Sequence, residues 1–383
     1  MILSFFVYTL TAIILYNLSV AMAKEPQYNN YFANKYSQIA LIGVLVSFGF
    51  VAGARYDVGV DHLSYLYSYE YSSSIDTTME EGFVFITRWM HDAGFHYFFY
   101  FALWGVLQIA FLYQALKYKK QLLPYVGLLI MLGPYFLDWM NGIRQTVVSC
   151  FFVFLTSTIV VKKKLVLYIL LILLASKIHK SALLLMPFVF LGYYNIDIKD
   201  RRATILMLVV CTILGSMPFW IQYLLDLQKV LELIGYGEKY GNKYEEMLTG
   251  DEFSSFSWGP IRISSYAIDL MILWFYPKIR NYFKDDKRLS IFFFLYYVGA
   301  CSYNLFAGTN QLFLRIVMYF TIFKLPMTAY LLYYLKKAKP RFFYIASINA
   351  YMYIYIAVIK ASLPSATNTY QHCNLYKFFF FEN

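Results

Sequence analysis

The chain has 383 residues, 60% of them hydrophobic and only 14% charged, where a soluble domain carries about 25%. Long uncharged runs recur from end to end, which excludes a large soluble domain and implies an all-α polytopic integral membrane protein, one transmembrane domain over residues 1–383. A net charge of +11 would suggest nucleic acid as the partner of a soluble protein. Here the lysines sit in short loops between apolar runs, so the positive-inside effect accounts for them and no nucleic-acid partner is expected.

Residues 2–23 are uncharged and long enough to span. Ala21-Met22-Ala23 resembles a signal-peptidase site, but no positive charge precedes the run, and a retained helix is expected. Further spans are expected at 36–54, 95–116, 122–137 and 146–161. Two short apolar runs follow the Lys162-Lys163-Lys164 turn, at 165–176 and 181–194, each below the roughly 17 residues of a straight span. They fit either one long helix broken at His179 or two tilted, half-buried helices. Runs at 204–225, 261–276, 291–307, 312–335 and 342–358 bring the expected total to about twelve.

The loops set the orientation. Those at 117–120, 162–164, 197–202, 278–288 and 336–341 are rich in Lys and Arg, whereas the longer ones at 55–94 and 226–260 carry more acids than bases. The two kinds alternate in step with twelve spans. This expectation places the basic loops in the cytoplasm, and the two acidic loops and both termini outside.

Three polar groups then gather at the outer face. Arg55-Tyr56-Asp57-Val58-Gly59-Val60-Asp61 follows the second span, as either a hydroxyl- or anion-binding turn or a solvated cap with a snorkelling arginine. Asn141-Gly142-Ile143-Arg144-Gln145 stands before a helix, where the dipole, unpaired N–H groups and guanidinium fork together favour a phosphate. Lys177-Ile178-His179-Lys180-Ser181 interrupts apolar sequence; each lysine at a helix centre would cost about 2.5–3.5 kcal/mol, so the segment is either a functional site or a short external loop. If 146–161 and 165–176 both span, Arg144 and His179 share one face. Asn304 and Arg315 flank or enter the eleventh span, with Arg315 expected to face the protein interior. No Asp-X-Asp, HExxH, GxSxG or Walker-type glycine loop occurs, and the four cysteines have no metal-ligand spacing, so neither metal nor cofactor is expected.

These segments, with Tyr65, Glu81-Gly82-Phe83, Ala175, Tyr319 and the Tyr376-Lys377-Phe378 tail, resemble the EpsG family, itself similar to the Wzy polymerases of O-antigen, capsule and exopolysaccharide synthesis. The resemblance runs over nearly the whole chain, and Asn-X-X-Arg-Gln and Ala-X-X-X-His-X-Ser are its most specific parts. His62 stands where the family often has an aromatic residue. The resemblance implies a polymerase in the bacterial cytoplasmic membrane that joins oligosaccharide repeat units carried on undecaprenyl diphosphate at the outer leaflet. A chain-length regulator and a flippase would be its pathway partners. On this view Arg144 and Arg315 hold diphosphate, and His179 or Asp61 accepts the acceptor hydroxyl's proton. Arg55, Asp57, Asn141, Gln145, Lys177, Lys180 and Asn304 complete the substrate-binding face. A flippase for the same lipid would instead need charges spread through the membrane depth, and a membrane O-acyltransferase would need a histidine deep in the bundle.

Overall fold

The computed structural model describes residues 1–24, 31–72, 79–217, 258–307, 311–363 and 373–381. Among them the chain is helical throughout, with a single antiparallel bridge between Arg55 and Phe378. The N-terminal half comprises α1 (Ile2–Ala23), α2 (Tyr31–Gly53), α3 (His62–Glu70), α4 (Glu81–Asp92), α5 (Tyr97–Leu116), α6 (Leu123–Leu132), α7 (Tyr135–Asn141), α8 (Ile143–Leu155) and α9 (Leu165–Ser176). A 3-10 helix, Lys180–Gly192, follows. The remainder comprises α10 (Arg201–Gly215), α11 (Pro260–Tyr282), α12 (Lys287–Leu305), α13 (Gln311–Thr321), α14 (Lys324–Ala338), α15 (Pro340–Tyr351) and α16 (Tyr353–Ala361).

Six stretches among the described residues are long and apolar enough to cross a membrane: Ile2–Ala23, Lys35–Gly53, Tyr97–Leu132, Ile143–Val160, Leu314–Ala338 and Pro340–Ala361. The expected count of twelve is therefore not reproduced by length and composition. The stretch Tyr97–Leu132 joins two expected spans, and its helix breaks at Lys119 (φ −134°, ψ 59°) within the basic turn. The two runs beside His179 are apolar but short. Most of the expected outer loop 226–260 lies outside the described residues.

Local chemistry fixes the boundaries. Asp200 caps α10 by accepting from Arg202 N–H (2.9 Å) and Ala203 N–H (3.2 Å), and Asp286 caps α12 by accepting from Arg288 N–H (3.1 Å). Proline opens α11 and α15, where a missing N–H costs nothing. α1 packs on α2 and α6, α2 on α5, α5 on α8, α11 on α14 and α15, and α12 on α10 and α13. A second apolar cluster unites α3, α4, α5 and the start of α8 through Tyr65, Phe83, Tyr100 and Trp104. It holds two short amphipathic helices over one end of the bundle.

The chain from α8 to Gly192 makes two reversals. α8 descends to the lysine turn at 162–164, α9 returns, and the chain breaks at His179, whose backbone is extended (φ −152°, ψ 113°). The 3-10 helix then packs back along α9 until Gly192 meets the Val160 carbonyl, where a Cβ would collide. Its tighter winding rises about 2.0 Å per residue, so 13 residues reach about 26 Å. That nearly matches a hydrocarbon core that an α-helix of the same length could not cross. Of the two expectations, two separate short helices are what form, folded back on each other rather than continuing as one long helix past a break, and His179 stands at their turn beside the start of α8.

Candidate active site

The site begins with a helix break. α7 ends at Asn141 and α8 starts at Ile143, with Gly142 between them off helical geometry (φ −95°, ψ 63°). The Trp139 carbonyl left without a helical partner accepts from Gln108 Nε2 and Thr146 Oγ1, both at 3.3 Å, and Gln108 also donates to Thr146 Oγ1 (2.8 Å). This buried brace from α5 fixes where α8 begins, and so where Arg144 is held.

Arg144, His179 and Lys180 converge on one carboxylate, Glu80. Arg144 Nη1 donates to Glu80 Oε2 at 2.5 Å, His179 Nδ1 to Oε1 at 3.1 Å, and Lys180 N–H to Oε1 at 3.0 Å. Burial would raise the Glu80 carboxyl. The bonds from His179 and Lys180 and the Arg144 charge outweigh it and hold the group down at about 2. Glu80 is therefore ionised and can only accept, so Nδ1 of His179 carries the proton in that bond. The other ring nitrogen makes no hydrogen bond to a described residue and is left to accept a proton. Little of the pair faces solvent: the Glu80 and His179 side chains are 14% and 24% exposed.

Aromatic walls enclose the arginine. Its guanidinium carbon lies 5.0 Å from the Phe83 ring and 5.9 Å from that of Tyr65, whose hydroxyl bonds to it. Arg144 Nε is buried without an acceptor among the described residues. The Asp61 carbonyl accepts from Tyr65 N–H (3.0 Å) at the start of α3; burial raises the Asp61 carboxyl, opposed by Arg315 and Arg144. Arg315 is brought in by α13, where Gln145 Nε2 donates to the Arg315 carbonyl and Ser181 Oγ meets Tyr319 OH at 2.7 Å. Its side chain is exposed, which corrects the expectation of an interior-facing residue, and it acts on Asp61 and Tyr65 from the open side.

The other expected residues divide. Gly82 N–H donates to the Lys177 carbonyl (2.9 Å), and Lys177 Nζ bridges to Glu81 at 2.7 Å on an exposed surface, while the Lys180 side chain is exposed. Asn141 Oδ1 accepts from Val60 N–H (2.5 Å), pinning the Arg55–Asp61 turn to the end of α7. Asp57 pairs with Lys377 at 3.2 Å. Arg55 is 1% exposed; it donates to the Ala52 and Val58 carbonyls (3.0 and 2.6 Å) and to His62 Nδ1 (2.8 Å) and lies 4.7 Å from the Phe101 ring. It therefore positions the turn and has no surface to offer a ligand. His62 stacks on Phe101 at 4.5 Å, as an aromatic residue would, and burial with the Arg55 charge pushes its pKa down to about 2. Asn304 is not joined to the Glu80 group: it bonds the Ala300 carbonyl and Arg262 between α11 and α12. Among the described residues no three His, Cys, Asp or Glu side chains converge as metal ligands would.

Glu80 is the member that sequence reasoning missed. It stands among several acids without diagnostic spacing. The available signal was Gly82: a Cβ there would lie 2.8 Å from the Lys177 carbonyl, so a glycine is required for the start of α4 to sit against the histidine turn.

These features define a multi-pass helical membrane protein with an arginine, a carboxylate and a histidine joined at one end of its bundle. A family model, the EpsG family, matches residues 38–377, and the chain belongs to this family of polysaccharide-polymerase-like membrane proteins. No curated protein and no solved structure matches the chain.

Proposed function

We propose that the protein is a polymerase that joins oligosaccharide repeat units carried on undecaprenyl diphosphate at the outer face of the bacterial cytoplasmic membrane, through a chain that crosses twelve times. The observation that carries this reading is the Glu80 carboxylate, which links Arg144, His179 and the Lys180 N–H. Its donors are those that a phosphate would use, and they stand beside a histidine with one nitrogen left to take a proton.

In this mechanism Arg144 and the exposed Arg315 hold the diphosphate of the donor lipid. The hydroxyl of the acceptor unit loses its proton to His179 Nε2 as its oxygen attacks the anomeric carbon of the donor glycan. The bond from that carbon to the diphosphate oxygen breaks, and undecaprenyl diphosphate leaves with the electron pair, its charge balanced by the arginines. Glu80 fixes the tautomer and orientation of His179 and stabilises the imidazolium that forms. Asp61 and Tyr65 border the acceptor side, and Lys177 and Lys180 add positive charge around it. A flippase that delivers the lipid-linked units and a chain-length regulator would be its partners.

One observation favours a second reading, transport of the same lipid. Asp269 and Lys324 form a 2.8 Å ion pair, with Tyr296 OH donating to Asp269 at 2.8 Å. Asp269 lies nine residues into α11, about 14 Å from its start, and intramembrane ion pairs commonly mark translocation paths. Deletion of the gene, with complementation by wild type, Arg144→Ala and His179→Ala, separates the two. Polymerisation predicts that the surface-polysaccharide ladder collapses to single repeat units and that wild type alone restores it. Loss of all surface glycan, single units included, would support transport instead.

A further inference from the structure

The basic end of the bundle, opposite the Glu80 cluster, carries a cavity of about 290 Å³ between α10 and α11. Lys199 and Asp200 line it from just before α10, Arg201 and Arg202 from its first turn, and Trp274, Pro277 and Lys278 from α11. The Arg201 guanidinium carbon lies 4.4 Å from the Trp274 ring, which holds the fork in place. The neighbouring acids are already engaged. Asp200 also lines the cavity, where its Oδ1 is taken by the Arg202 and Ala203 N–H groups as the cap of α10, and Asp197 is taken by Lys199 (2.9 Å) and Arg280 (3.8 Å). No carboxylate among the described residues pairs with Arg201, Arg202 or Lys278. By contrast, Lys119 and Arg288, at the same end, share Asp286.

From this geometry we infer that the cavity binds the phosphodiester headgroup of an anionic glycerophospholipid from the leaflet on the basic side. Its depth supports a membrane ligand. Trp274 is 49% exposed and lies eight residues before the end of α11, about 12 Å inside it, the interfacial level that tryptophan favours. Below the cavity α10 exposes Leu206, Met207, Val210 and Ile213, an apolar row along which acyl chains can lie. A soluble phosphate would use the cations but not that row. Basic pockets between helices at this boundary are suited to anionic headgroups, and a lipid seated here would tie α10 to α11. The inference does not depend on the proposed reaction.

The test is native mass spectrometry and thermal melting of the full-length protein, titrated with phosphatidylglycerol or phosphatidylcholine. The wild type should retain one phosphatidylglycerol in preference to phosphatidylcholine and melt higher with it. The triple variant Arg201→Gln, Arg202→Gln, Lys278→Gln should bind it about tenfold more weakly, as expected for lost charge-assisted bonds. A charge-matched control, Lys336→Gln, Lys337→Gln, Lys339→Gln, at the same end should not. Trp274→Leu, which keeps every charge, should weaken binding severalfold and guards against a triple variant that fails to fold. Equal losses in the two triple variants, or equal binding of phosphatidylcholine, would overturn the site. Displacement of the lipid by millimolar inorganic phosphate would overturn the lipid as its occupant.

Discussion

In the proposed mechanism, Glu80 and His179 carry the chemistry at the scale of single residues. If His179 is the proposed base, His179→Ala should lower turnover by about 10²–10⁴-fold while lipid binding is kept, which a binding assay with the lipid-linked substrate would show. Glu80→Gln keeps acceptor and donor atoms in place but removes the charge behind the histidine; a loss of about 10–100-fold is expected, as for other groups that orient a working imidazole. The pH dependence has a definite sign. The folded-state carboxyl of Glu80 lies at about 2, below its ordinary 4.5. Its stabilisation is therefore full above about 4.5 and lost as pH falls toward 2. Melting curves between pH 8 and pH 5 should show no pH dependence from it, because its contribution is constant there, and below pH 4.5 wild type should lose stability faster than Glu80→Gln. Arg55 belongs to a different class. Arg55→Ala leaves the Val58 carbonyl and His62 Nδ1 buried without a donor, and should cost about 3 kcal/mol in denaturant melting. The activity per folded molecule should fall far less than in Arg144→Ala.

At the scale of elements, the site is made by one helix break, one hairpin and one short helix laid across them. The separation of apolar runs by the polar 141–145 segment and the lysine turn were legible because hydrophobic length and charge fix them locally, whereas the break at Gly142 itself was not read from the sequence. Arg144 and His179 were placed on one face by simple counting of spans, and their common partner shows that they share it. Glu80 was not legible, because its approach depends on the packing of Phe83 against Trp104 (5.4 Å) and on a backbone bond from Gly82, both set by tertiary contact. The 3-10 winding of Lys180–Gly192 was equally hidden, since its composition suits an α-helix as well. Gly82→Ala should push α4 off the histidine turn and abolish most polymer synthesis, with the protein still inserted at wild-type level. Sided thiol labelling checks the hairpin: Lys180→Cys should react from outside intact cells, and Lys163→Cys only after permeabilisation.

At the scale of the whole molecule, the C-terminal segment closes the N-terminal half. Tyr376 N–H donates to Ser4 Oγ (2.9 Å) and its hydroxyl to the Val51 carbonyl (2.7 Å), Tyr8 OH donates to the Asn374 carbonyl (3.0 Å), and Gly59 N–H donates to the Cys373 carbonyl (3.0 Å). The tail thus clamps the turn that carries Asp57 and Asp61 over the end of α7. Truncation after 372 should leave the bundle inserted but release that turn, with synthesis lost and thermal stability reduced. The measurement that bears most directly on the central claim is turnover by the purified protein in vesicles, given a defined lipid-linked repeat unit and excess chelator. The proposed reaction requires polymer with equimolar release of undecaprenyl diphosphate from wild type, and neither product from Arg144→Ala or His179→Ala. Polymer formed at the wild-type rate by either variant, or no polymer from an active, correctly inserted wild type, would contradict it.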